Sequence, residues 1–214
     1  MAETILKNNP KTTRAWCFYD WANSVYSLVI TTAIFPIYYV AVTKLADGSD
    51  WVQFFGWQVS ASVLYKYALT GAFLFIALLS PILTAIADYG GNKKRFMQFF
   101  CYMGSFACMG LFFFTSQTFT ISVILFMIAA IGYSGSIVFY NAYLPEIATE
   151  DQFDRLSAKG FSLGYIGSMI LLIISLVLVL KPDWFGITDS SLPARISFLM
   201  TGIWWFAFAQ YSFA

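Results

Sequence analysis

The charged residues of this 214-residue chain are unevenly spread, and the gaps between them constrain the fold more than any other feature. Residues 21–43, 67–87, 96–145, 160–180 and 196–214 contain no Asp, Glu, Lys or Arg. A helix needs about 20 apolar residues to cross the hydrocarbon core of a bilayer. Four runs are one span long, and the run 96–145 is long enough for two. Its only polar cluster, Thr115-Ser116-Gln117-Thr118, marks a turn between them. The reading is an all-α membrane protein with six transmembrane helices, at about 15–43, 61–88, 95–115, 119–144, 160–180 and 196–214, in one unit over residues 1–214. Barrel strands need only about 9–11 residues, alternating in polarity, so the runs are too long for them.

Composition agrees. The chain is 59% apolar and 11% charged, against roughly 25% charge in soluble domains. Folded alone in water, it would have to expose large apolar patches. A net charge of +1, with no basic tract beyond Lys93-Lys94-Arg95, argues against nucleic acid as a partner. The lipid bilayer is the partner this composition demands. There is no His, which removes His-based triads, zinc protease motifs and the commonest general base. Cys17, Cys101 and Cys108 all fall in spans, without metal spacing, and read as small apolar residues. No cofactor is implied, and proton coupling is left open.

Lys and Arg set the orientation. With the N-terminus inside, cytoplasmic segments hold Lys7, Lys11, Arg14, Lys93, Lys94, Arg95, Arg155 and Lys159. The outer side holds Lys44, Lys66, Lys181 and Arg195. The excess favours a cytoplasmic N-terminus. Trp16 and Trp21 then fall at the inner interface, and Trp51, Trp57 and Trp184 at the outer one, as aromatic belts do. The stretch after Arg14 is too long for a cleaved signal peptide and contains Asp20. With no disulfide framework and no processing signal, a bacterial inner membrane is favoured over an organelle. The sixth run reaches Ala214 without a flanking Lys or Arg, which reads as a fragment cut before further spans.

Polar side chains within spans face protein or water rather than lipid. In the first span Asp20, Asn23, Ser24, Ser27 and Thr31 share one helical face, about 17 Å long. In the fourth, Tyr133, Ser136, Tyr140 and Tyr143 do the same. The third and sixth spans are poorer in polar groups and read as lipid-facing. The pattern recurs every three helices, as in transporters built from two inverted three-helix repeats. Asp20, Asn23, Ser27, Thr31, Tyr133, Ser136 and Tyr140 are therefore candidates for a cavity that takes a small-molecule substrate. The competing reading makes both stripes helix-packing seams. Asp20 is open between an ion-pair or capping role and a substrate or proton role. Gly132 with Ser136, and Gly160 with Gly164, have the small-xxx-small spacing of close helix contacts. Pro36 should bend the outer end of the first span.

Between spans two and three the chain reads Asp88-Tyr-Gly-Gly91-Asn-Lys93-Lys94-Arg95. This resembles the loop signature of the major facilitator superfamily, Gly-x-x-x-Asp-(Arg/Lys)-x-Gly-(Arg/Lys)-(Arg/Lys). Asp88, Gly91 and Lys93 match, while Thr84, Tyr89 and Asn92 depart from it. Two further stretches narrow the resemblance: Tyr19-Asp20-Trp21-Ala22-Asn23-Ser24, followed by Phe35-Pro36, and Asn141-Ala-Tyr-Leu-Pro145-Glu146-Ile-Ala, followed by Asp154-Arg155 and Gly164-Tyr165-Ile166-Gly167. Together they resemble the vacuole-effluxer branch, which includes fungal autophagy-related vacuolar amino-acid exporters and bacterial relatives.

The resemblance implies the N-terminal half of a twelve-span fold, working by alternating access with a missing C-terminal six-helix half or a second copy. It also implies latch roles at the cytoplasmic face for Asp88, Gly91, Lys93, Arg95, Glu146 and Arg155, with Asp88 pairing to Lys93 or Arg155 and Glu146 to Arg95 or Arg155. The plainer alternative leaves Lys93, Lys94 and Arg95 to topology alone. The function that follows is secondary active transport of small solutes, amino acids by resemblance. A non-transporting membrane scaffold or assembly subunit is the alternative. An intramembrane enzyme would need a convergent nucleophile and base, which this sequence does not offer.

Overall fold

In the computed structural model the described residues are 6–44 and 48–214. Six helical segments among them are long and apolar enough to cross a membrane: Pro10–Thr43, Ala61–Gly90, Lys93–Phe113, Phe119–Ile147, Glu150–Leu180 and Leu192–Phe213. All six expected spans are present, but several helices run beyond the apolar runs that announced them. α1 (Pro10–Val25) starts earlier than residue 15 because Asn9 caps it, accepting from the Lys11 N–H at 2.9 Å, and Pro10 opens the first turn. Later in the chain the same happens with charged residues: Asp154, Arg155 and Lys159 all lie inside the helix Phe153–Leu180. Absence of charge locates the membrane-spanning part of a helix, not the helix.

The first span is not uniform. After α1 the chain forms a π-helical segment over Tyr26–Ile34 and returns to α-geometry in α2 (Phe35–Thr43). The segment ends just before Pro36, whose ring has no N–H to donate and crowds the carbonyl four residues back. What accompanies the proline is a change of helical register in mid-span. α3 is Ala61–Gly90, α4 Lys93–Gly110, α5 Phe119–Ile147, α6 Phe153–Leu180 and α7 Leu192–Phe213.

The first span packs against α6 as α5 packs against α3, and α4 packs against α5 as α7 packs against the first span. α4 and α7 also meet directly. This is the exchange expected of two inverted three-helix repeats. Glycines set the closest approaches: a Cβ on Gly132 would lie 2.5 Å from the Gly104 Cα, and one on Gly202 would lie 2.5 Å from the Ser105 carbonyl oxygen. Away from the basic end the interior is aromatic. Phe35, Phe114, Phe126 and Phe198 are fully buried, and the Phe35 and Phe126 rings stack at 4.3 Å.

One expectation is corrected. The third and sixth spans are not the lipid-facing ones in this unit: Cys101, Cys108, Phe198 and Trp205 in them are fully buried. The most exposed span is the second, where only Ala61, Ala68, Ala72, Ile76 and Ala87 are buried. Trp16, expected near the inner interface, packs inside the bundle rather than on its surface. It is buried, its Nε1 donates to the Tyr140 carbonyl at 2.9 Å, and its ring stacks on the Tyr140 ring at 4.2 Å. The all-α class holds, with one small addition: the loop before α3 contains a β-hairpin. β1 (Trp51–Phe54) pairs antiparallel with β2 (Trp57–Ser60). Phe55 and Gly56 between them both have positive φ, +50° and +83°, as a two-residue type I′ turn requires. Trp51, Phe55 and Trp57 are exposed.

Candidate functional site

The polar faces of the first and fourth spans meet. Tyr140 donates its hydroxyl to Asp20 Oδ2 at 2.8 Å, and both residues are buried. Among the described residues no cation lies within 4.0 Å of the Asp20 carboxylate. The fifth span closes over the pair with bare backbone. A Cβ on Gly160 would lie 2.5 Å from Asp20 Oδ2 and 2.9 Å from the Tyr140 hydroxyl, and one on Gly164 would lie 2.5 Å from Ser24 Oγ. The spacing of Gly160 and Gly164 therefore serves packing, with the polar side chains of α1 as its counterface.

Beside this seam an open cavity of about 240 Å³ is lined by Ser24, Ser27, Tyr133 and Ser168 together with Leu28, Phe161 and Tyr165. Of the seven candidate cavity residues, Ser27 and Tyr133 line it. Asp20, Asn23, Ser136 and Tyr140 are buried in the helix contacts around it. Ser136 donates to the Tyr133 carbonyl at 2.8 Å. Thr31 is half-buried, and its carbonyl accepts from the Tyr65 hydroxyl at 3.4 Å. The stripe read as one face of a continuous α-helix is thus divided. Asp20, Asn23 and Ser24 precede the π-helical segment, and Ser27 and Thr31 lie within it.

Sequence reasoning missed Tyr19, Tyr26 and Trp205. Tyr19 and Tyr26 hydroxyls, Asn23 Nδ2 and Trp205 Nε1 are buried with no hydrogen-bond partner among the described residues. Such atoms cost free energy until water or a solute meets them. Tyr165 and Ser168 were also missed as lining groups. Their signal was adjacency to Gly164 and Gly167, which bring that face of α6 against α1.

At the basic end, Lys93 Nζ reaches Asp88 Oδ1 and Glu146 Oε1, each at 2.7 Å, and donates to the Ala142 carbonyl at 3.2 Å. One lysine at the start of α4 therefore joins the end of α3 to the end of α5. Gly91 makes the approach possible. Its φ of +60° ends α3 in a left-handed cap, with Asn92 N–H bonded to the Ala87 carbonyl and Gly91 N–H to the Asp88 carbonyl. Arg95 and Arg155 are exposed and pair with neither acid. Glu146 meets Lys93, a pairing the sequence reading did not weigh.

A family model described as vacuole effluxer Atg22-like matches residues 8–214. The uncharacterized MFS-type transporter YxiO of Bacillus subtilis is 37% identical over 202 residues, covering 94% of this chain and 45% of the relative. Autophagy-related protein 22-2 of Aspergillus niger is 23% identical over 220 residues, covering 75% of this chain and 37% of the relative. Autophagy-related protein 22 of Pyricularia oryzae is 20% identical over 285 residues, covering 96% and 41%. The chain spans less than half the length of these relatives. No solved structure matches it. None of these relatives is described as an enzyme. The match over residues 8–214 includes the Asp20 seam, the open cavity and the Lys93 cluster, and the chain belongs to the vacuole effluxer Atg22-like family.

Proposed function

We propose that this chain forms one half of a secondary transporter that moves small solutes, amino acids among them, by alternating access. The observation that carries the reading is the convergence of the first and fourth spans at Asp20 and Tyr140 beside an open cavity of mixed polar and apolar lining. Buried polar atoms without a hydrogen-bond partner among the described residues lie in the same region. Alternating access needs a second six-helix unit, from the same polypeptide or a second copy. The exposed apolar side chains of α3 and α6, such as Leu78, Ile82, Ile166 and Ile173, suit such a neighbour. In this reading the basic end faces the cytoplasm of a bacterial cell. The Lys93 cluster is then a cytoplasmic latch: its two carboxylates reach water while the lysine they share is largely covered, and contacts open to water on one side can open and close.

The test is transport by the complete protein in proteoliposomes. Counterflow of radiolabelled amino acids above protein-free vesicles is expected, reduced by Ser27→Leu. Uptake driven by an imposed proton gradient would assign coupling to protons. No movement of any amino acid, with or without the gradient, overturns the substrate class. Water-soluble thiol reagents check the cavity itself in a cysteine-free background. Ser27→Cys should label and Ser136→Cys should be protected.

A further inference from the structure

A second pocket, of about 260 Å³, opens at the basic end between the first turns of α1 and α6, away from the cavity above. Arg14, Arg155 and Lys159 line it together with Asn8, Thr13 and Gln152. All three cations are exposed, and none has a carboxylate within 4.0 Å or a side-chain hydrogen bond among the described residues. Nearby acids are engaged elsewhere or point to solvent. Asp151 accepts from Gln152 Nε2 at 2.7 Å, and Glu150 and Asp154 are exposed.

The wall of the pocket is fixed by a clasp. Asn8, with φ +61°, donates its backbone N–H to the Ile147 carbonyl at 2.7 Å and its Nδ2 to Thr149 Oγ1 at 2.8 Å. Its Oδ1 accepts the Thr149 N–H at 3.1 Å. The segment before α1 is thereby tied to the loop between α5 and α6. Both α1 and α6 begin here, so the positive ends of two helix dipoles add to the three side-chain charges. Like charges gathered in a half-enclosed space repel one another unless an anion joins them. Two guanidinium groups and an ammonium suit a multiply charged oxyanion, because the guanidinium fork matches phosphate geometry. Basic pockets between helices at the polar edge of a bilayer hold lipid headgroups by this chemistry.

We propose that the Arg14–Arg155–Lys159 pocket binds a phosphate group, carried by an anionic lipid headgroup or free in solution. Binding would bridge the first and fifth spans at their basic ends, adding to the Asn8 clasp. The inference is independent of the transport reading, and its test reads binding alone.

The complete protein is placed in nanodiscs of phosphatidylcholine, with or without phosphatidylglycerol, and retained lipid is counted by native mass spectrometry. In the second arm, inorganic phosphate is added to pure phosphatidylcholine discs and thermal unfolding is followed. The lipid source predicts selective retention of phosphatidylglycerol. The free source predicts a rise in Tm with phosphate that sulfate-free chloride of equal ionic strength does not reproduce. The triple variant R14Q/R155Q/K159Q should abolish whichever signal appears. Each single variant should weaken it about fivefold. K44Q, at the other end of the first span, should leave it unchanged. The single variants R155Q and K159Q serve if the triple variant does not fold. Equal behaviour of wild type and variants in both arms overturns the proposal, as does an equal loss in K44Q.

Discussion

Asp20 and the Asp88–Glu146 pair are both carboxylate contacts in the basic half of the bundle, held in opposite ways. Asp20 is buried, meets no cation among the described residues, and accepts one phenolic hydrogen bond from Tyr140 under the bare backbone of Gly160. Asp88 and Glu146 are half-exposed and share one lysine. Burial makes the first contact expensive to disturb, because an acid without its partner has no water to turn to. Solvent makes the second cheap, because water and salt replace what the lysine offers. The first arrangement suits a fixed joint between the first, fourth and fifth spans, and the second suits a contact that opens.

The comparison can be broken by substitution. Gly160→Val should be the most damaging, since its side chain must enter the space of Asp20 and Tyr140. A loss of about 3 kcal/mol is expected, read by denaturant unfolding in micelles. Tyr140→Phe keeps the ring stacked on Trp16 and removes only the hydroxyl, with an expected cost of about 2 kcal/mol. In a double-mutant cycle, Asp20→Asn should recover part of that cost, and strict additivity would show that the bond contributes nothing. Lys93→Met should cost only about 1 kcal/mol, and that cost should shrink at high salt. Equal salt dependence for Tyr140→Phe and Lys93→Met would erase the distinction. Gly91→Ala should cost about 1 kcal/mol through its left-handed backbone alone, independent of salt.

The smallest effect concerns a third carboxylate, partly exposed in a loop. Asp50, in the loop before α3, accepts from the Ser62 N–H at 3.0 Å and from Ser60 Oγ at 2.9 Å, and these bonds hold its carboxyl below the usual range. A depressed folded value means the contribution is present above the unfolded pKa of about 3.9 and is lost as pH falls through the folded value. Tryptophan fluorescence from the adjacent hairpin should therefore change on acidification below about pH 4, and Asp50→Asn should flatten that change.

Much of the fold was legible in the residues. Five charge-free stretches, one of them long enough for two helices, became six spans, because a bilayer penalises charge over a fixed depth. Helix ends were less legible. Asn9 and Pro10 announce a start before the apolar run, but hydropathy outweighs capping in such a reading. The hairpin had a signal too, in alternating Val52, Phe54, Trp57 and Val59 around a glycine turn, and its apolar content hid it among spans. The polar stripes identified which faces of spans one and four were special. They did not say whether those faces met solute or helix, and both answers hold: Ser27 and Tyr133 line a cavity, while Asp20 and Tyr140 seal a joint.

By itself, then, the sequence determined membrane residence, span number and the repeat of three. Each follows from local cost along one chain: charge in hydrocarbon, polarity per turn, residues per span. Tertiary structure alone decided that Lys93 takes both acids, that Trp16 is buried, that the second span is the exposed one, and that Arg155 faces Arg14 and Lys159 rather than Glu146. Those outcomes depend on which helix faces which, and residues far apart in sequence meet only when helix rotation and the glycine contacts are set.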